Sequence, residues 1–156
     1  MRRLWPGLIV VALALALALV ASGCGSDTKA ANDYVDAVNR AQSEFATKFD
    51  QLSAQITSTS TAAQDRQTLD GFRQAIDKAV ADFRAVKAPS KVKPLHDKLI
   101  AEVSAYGAQI DKAKGAFSDN DPQAIVKAQT DLVSAVTKVQ AQINQTIADI
   151  NKKLRE

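Results

Sequence analysis

The sequence predicts an all-α protein, an up-down-up-down four-helix bundle, and three observations carry that expectation. Its 28 alanines and 12 glutamines are helix formers, and glycine and proline are nearly absent from the long segments. Apolar residues recur at alternating three- and four-residue steps in four separate segments, which is the period of a helix with one buried face. The breaks between those segments are short and carry capping residues, which favours antiparallel neighbours.

The first helix is expected over Asp33 to Ile56, with Tyr34, Val38, Ala41, Phe45, Phe49, Leu52 and Ile56 on one face. It stops at Ser58-Thr59-Ser60-Thr61, whose hydroxyl side chains compete for backbone hydrogen bonds, and Thr61 with Gln64 forms a capping box for the next helix. That second helix, Ala63 to Val86, repeats the stripe through Leu69, Phe72, Ile76, Val80, Phe83 and Val86. Pro89 disfavours helical geometry at Ala88, Ser90 is placed to cap the third helix, and Pro94 sits in a first turn, where a missing N–H costs little.

The third stripe is Val92, Leu95, Leu99, Val103, Tyr106, Ile110, Ala113 and Phe117. Ser118-Asp119-Asn120-Asp121-Pro122 is the clearest boundary, with Asp121 as N-cap and Pro122 at the first helical position. The fourth helix runs from Pro122 to about Leu154 and buries Ile125, Leu132, Val136, Val139, Ile143, Ile147, Ile150 and Leu154. Val126, Val133 and Ala148 widen its apolar face. Gly71, Gly107 and Gly115 each cost about 1 kcal/mol relative to alanine inside a helix, so they are expected to mark close helix contacts or a local kink.

Ahead of the bundle, the chain has the three-part plan of an export signal: Arg2 and Arg3, then an apolar core from Leu8 to Val20, then small residues. A helix from Leu8 to Ser22 would rise only about 22 Å against a hydrocarbon core of roughly 30 Å, which favours a cleaved leader over a permanent span. The residues around Arg2-Arg3 do not extend to a twin-arginine motif. The domain reading is therefore a leader over residues 1–23, a small, polar, flexible tether over 24–32 and a bundle over 33–156. At that length the tether would hold the bundle within roughly 25 to 30 Å of a membrane.

The single cysteine, Cys24, directly follows the leader and is flanked by Gly23, Gly25 and Ser26, so no core-forming pattern surrounds it and no disulfide framework exists. Ala21-Ser22-Gly23-Cys24 resembles the lipobox of bacterial lipoproteins, and the resemblance covers the first 24 residues. It implies that the Cys24 sulfur receives a diacylglycerol and that cleavage falls between Gly23 and Cys24. A thiolate suits that alkylation, and the small neighbours suit enzymes working at a membrane surface. The family usually has Leu three residues before the cysteine, where this chain has Ala21. Ala-Ser-Gly also satisfies an ordinary signal peptidase, which would leave a soluble protein with a free amino-terminal Cys24.

Overall, the chain resembles the small, alanine-rich lipoproteins of bacterial envelopes, of high-GC Gram-positive type. That resemblance implies a protein lipid-anchored on the extracytoplasmic face of the cell membrane, and no substrate.

Charge and motif content narrow the function classes. Arg2 and Arg3 account for two of the 20 basic residues, leaving the mature part with 18 against 17 acidic ones and no basic stripe with interleaved aromatics, so nucleic acid is not an expected partner. His96 is the one histidine and Glu44, Glu102 and Glu156 are the only glutamates, which leaves no Glu-x-x-His pairs for a bundle metal site. His96, beside Leu95 at a helix start, reads as a surface or boundary residue. No G-x-S-x-G elbow, triad partner or phosphate-cradling glycine loop accompanies the serines, and neither enzyme activity nor a cofactor is expected. Two classes remain. The bundle is a structural or interaction module that meets an envelope protein, the cell wall or a second copy of itself, or it carries a small apolar ligand among Tyr34, Tyr106 and the phenylalanines.

Overall fold

The computed structural model describes residues 26–55, 59–116 and 122–156, and these form four helices. They are α1 (Ser26–Ser53), α2 (Ala62–Ala85), α3 (Lys93–Ala116) and α4 (Pro122–Arg155). The expected leader, with Gly23 and Cys24, lies outside the described residues, as do Ile56, Phe117 and the expected N-cap Asp121.

Cross-helix contacts fix the directions. Lys78 of α2 meets Glu44 of α1, and Gly71 meets Leu52, so α2 runs against α1. Arg73 pairs with Asp111 and Phe83 meets His96, which sets α3 against α2. Thr146 bonds Glu102, and Lys91, just before α3, bonds the Leu154 carbonyl, so α4 runs against α3. Tyr34 touches His96 and Phe49 touches Tyr106, which makes α1 and α3 parallel. The result is the up-down-up-down four-helix bundle.

The four stripes meet in one core. Tyr34, Val38, Leu69, Phe72, Ile76, Leu99, Ile110, Ile147 and Ile150 are essentially sealed from water, and every expected stripe position of α4 is buried. Phe49 stacks at a tilt on Phe72, with ring centroids 4.7 Å apart, and also contacts Phe45 and Tyr106. Phe45, Leu95 and Val86 pack only at the margin of this core. Gly71 is a true close approach, since a Cβ there would come 2.6 Å from the Leu52 Cδ2, whereas Gly115 faces open space.

Two local readings need correction. Residues 26–32 are helix rather than flexible tether, because the stripe continues backwards: Ala31 is buried and Val35 lies beside Tyr34 with no exposed surface. A small alanine gives little hydropathy signal, yet it fills a narrow contact. Lys29 and Asp33, four residues apart and 2.6 Å between charged atoms, add support on the outer face. The helix therefore starts two residues after Cys24.

The start of α3 also differs. Ser90 does not cap it; a turn with Val92 N–H donating to the Pro89 carbonyl and Lys93 N–H to the Ser90 carbonyl leads in, and His96 N–H donates to the Val92 carbonyl. Val92, fully buried, pins this entry by packing. The Thr61–Gln64 capping box at α2 is present in both directions.

Candidate functional site

The antiparallel order brings the start of α1, the end of α2, the start of α3 and the end of α4 together at one end of the bundle. Because α1 begins at Ser26, covalent geometry alone keeps the Cys24 Cα within about 7 Å of the Ser26 Cα. This is the end to which the expected anchor is tied.

Here His96 is buried, with 3% of its surface exposed, and not the surface or boundary residue expected from its place at a helix start. Its Nε2 lies 3.0 Å from the Phe83 carbonyl oxygen and its Nδ1 lies 3.2 Å from the Tyr34 hydroxyl. A carbonyl can only accept, so Nε2 carries the proton and neutral Nδ1 accepts from Tyr34. Burial is the main force holding His96 below its ordinary pKa of 6.5, reinforced by the charge of Lys93 and opposed by the Phe83 bond and Asp97. Burial likewise pushes the Tyr34 hydroxyl above its ordinary value.

The imidazole thus joins three helices and supplies a side-chain donor to the last turn of α2, where carbonyls lack helical partners. Lys91 does the same for α4, its Nζ 3.1 Å from the Leu154 carbonyl.

Around this neutral plug the surface is basic. A shallow depression over His96 is lined by Arg84, Lys87, Lys93 and Asp97. Lys93 pairs with Asp97 at 2.9 Å and Lys153 with Glu156 at 2.6 Å. The hydrogen bond from Lys153, together with the charges of Lys153, Lys152 and Lys91, holds the Glu156 carboxyl below its ordinary value.

Elsewhere, buried Asp65 accepts from Ser60 at 2.6 Å and buried Thr146 donates to Glu102 Oε1 at 3.1 Å, while Glu102 Oε2 and Ser53 Oγ have no hydrogen-bond partner among the described residues. Among the described residues, no three His, Cys, Asp or Glu side chains come together as a metal site, and no helix is long and apolar enough to cross a membrane.

At the opposite end α4 outruns its neighbour. With Thr146 level with Glu102, Val126 lies 20 residues from that level and Ala116 only 14, and with Lys91 level with Leu154 the figures are 28 and 25, so Val126 stands about 5 to 9 Å past the end of α3. Val126 on this stretch is 61% exposed, and Val133, seven residues on and level with the last turn of α3, is 38% exposed. The sequence marked both as widening the apolar face but could not say that they would remain in solvent.

A family profile matches residues 28–153, from the first turn of α1 to the last turn of α4. The chain belongs to a family of unknown function, DUF6376. The matched stretch thus coincides with the bundle and does not include residues 1–27, among them the expected leader and Cys24. Comparison with curated proteins and with solved structures found no match to the chain.

Proposed function

We propose that this DUF6376 member is a lipid-anchored extracytoplasmic protein whose bundle serves as a helical interaction module in the cell envelope. The exposed valine pair on α4 carries this reading. Large apolar side chains left in water on a rigid helix, seven residues apart on one face, suit contact with another protein. They stand at the end of the bundle remote from Cys24, where a tethered molecule is accessible to a partner in the wall or envelope. The core supports the module reading over the carrier reading, because the aromatic side chains that would line a ligand space, such as Tyr34, Phe72 and Phe49, are packed against one another and their neighbours.

The test is crosslinking in native membranes followed by identification of the captured protein, comparing the parent with Val126→Glu/Val133→Glu. Both side chains already face solvent, so folding stability should change by no more than about 0.5 kcal/mol each, while capture should fall. Equal capture by a normally folded variant would remove the α4 face from the account.

A further inference from the structure

We infer that the end of the bundle carrying the start of α1 is a docking surface for anionic phospholipid headgroups, a contact that rests on the reading of Cys24 as the membrane anchor. Four exposed segments contribute: Arg84 at the end of α2, Lys87 and Lys91 in the connector, Lys93 at the start of α3, and Lys152 with Arg155 at the end of α4. Lys93 is matched by Asp97 and Lys153 by Glu156. Arg84, Lys87, Lys91, Lys152 and Arg155 form no ion pair with a described carboxylate, although Lys91 and Lys152 act on Glu156 through their charge and the carboxylates of Asp36 and Asp149 lie toward the same end.

At the opposite end Lys114 is paired with Asp70 and Lys127 with Asp131, while Lys48, Arg66 and Lys112 have no described ion pair, and Arg73 bridges Asp77 and Asp111 between the two ends. The mature chain is almost neutral overall, so the gathering of Arg84, Lys87, Lys91, Lys152 and Arg155 from separate segments at one end is a matter of placement, not of composition.

Placement also decides the occupant. Only one residue separates Cys24 from the first helical residue, so a lipid on that sulfur holds this end, and no other, against the bilayer. Within a Debye length of about 8 to 10 Å an anionic surface attracts lysine and arginine, and a basic cluster beside a lipid chain is a recognised second signal for stable attachment. The cluster sits on a stiff platform. Lys91 is tied to the end of α4 and the connector is pinned by buried Val92 and His96, so the charges meet the surface together.

The experiment is lysine footprinting by mass spectrometry on the full chain as the cell makes it. The protein is mixed with vesicles of phosphatidylcholine alone or with about 30 mol % phosphatidylglycerol, at about 50 and about 500 mM salt. Lys87, Lys91 and Lys152 should be modified about fivefold more slowly on the anionic vesicles at low salt. They should recover at high salt, and Lys112 and Lys127 at the far end should be unchanged throughout. Inorganic phosphate without vesicles should give no protection; if it does, the surface is a phosphate-ion site and the lipid assignment is overturned. Equal protection on both vesicle types would also overturn it.

Arg84→Glu/Lys87→Glu/Lys152→Glu, none of whose side chains has a described ion-pair partner, should abolish the protection of Lys91 at an unchanged melting temperature. Retained protection would contradict the proposal. The anchor is judged separately, by whether the protein floats with pure phosphatidylcholine vesicles. Failure to float there, with anionic vesicles still protecting the basic end, refutes the anchor and leaves the headgroup surface standing.

Discussion

Replacing His96 tests the interior of the bundle most sharply, because its ring joins α1, α2 and α3. His96→Ala removes the bond to the Phe83 carbonyl at 3.0 Å and the bond from the Tyr34 hydroxyl at 3.2 Å. The Phe83 carbonyl still accepts from the Val86 N–H, so its share of the loss is small. The Tyr34 hydroxyl is left buried without its acceptor, at about 1 to 3 kcal/mol, and the missing ring adds a cavity. Together these give a loss of roughly 2 to 4 kcal/mol. Tyr34→Phe, which leaves Nδ1 without its donor, should cost about 1 to 2 kcal/mol, and the double variant should fall short of the sum by about 1 kcal/mol because one bond is counted twice.

The same site sets a pH dependence. Burial depresses the folded His96 pKa below 6.5, so below that pH the unfolded chain binds a proton that the folded chain resists. Stability is full above pH 6.5 and falls as the pH drops through the folded value. Besides burial, the charge of Lys93 opposes protonation, the Phe83 bond and Asp97 favour it, and Tyr34 stays un-ionised. Urea unfolding followed by helical circular dichroism between about pH 7.5 and 5 reads the slope. The parent should lose stability over that range, and His96→Gln should be flatter. A parent that is level there, or a His96→Ala cost under about 0.5 kcal/mol, would refute the reasoning. A folded His96 variant should still capture the partner of the parent, because the ring serves packing rather than chemistry.

Leu99→Ala should cost about 2 to 5 kcal/mol and Lys98→Ala no more than about 0.5 kcal/mol, since Leu99 is 1% exposed and its neighbour lies outside. Equal losses in urea unfolding would place the α3 stripe on the wrong face. Gly115→Ala should raise stability by about 0.5 kcal/mol, because nothing lies within 4 Å of the added methyl and alanine is the better helix former. A lower melting temperature would mean that the last turn of α3 needs glycine for a reason other than space.

Periodicity and turn chemistry suffice for most of this fold. Leu99, Ile147 and Phe72 each recur at helical spacing with long, apolar neighbours, and the Thr61–Gln64 box marks a helix start by its own hydrogen bonds. The stretch 26–32 was not legible as helix because Ala31 is small and Ser26, Asp27, Thr28 and Lys29 are polar, so the packing of Ala31 and Val35 exists only once the other helices are in place. The burial of His96 is hidden in the sequence for a related reason. Beside Leu95 it looks like a boundary residue, and only the third dimension brings Tyr34 and the Phe83 carbonyl to its two nitrogens. The basic end is likewise invisible along the chain, because Lys91 and Lys152 are 61 positions apart in sequence and meet through the antiparallel return of α4.

The most direct measurement on the anchored-module account is the intact mass of the mature protein extracted from membranes, alongside fractionation of Cys24→Ser. The account predicts a chain beginning at Cys24 and heavier by a diacylglycerol, and a Cys24→Ser chain that leaves the membrane fraction once its leader is removed. An unmodified Cys24, or a leaderless Cys24→Ser protein that stays with the membrane, would contradict it.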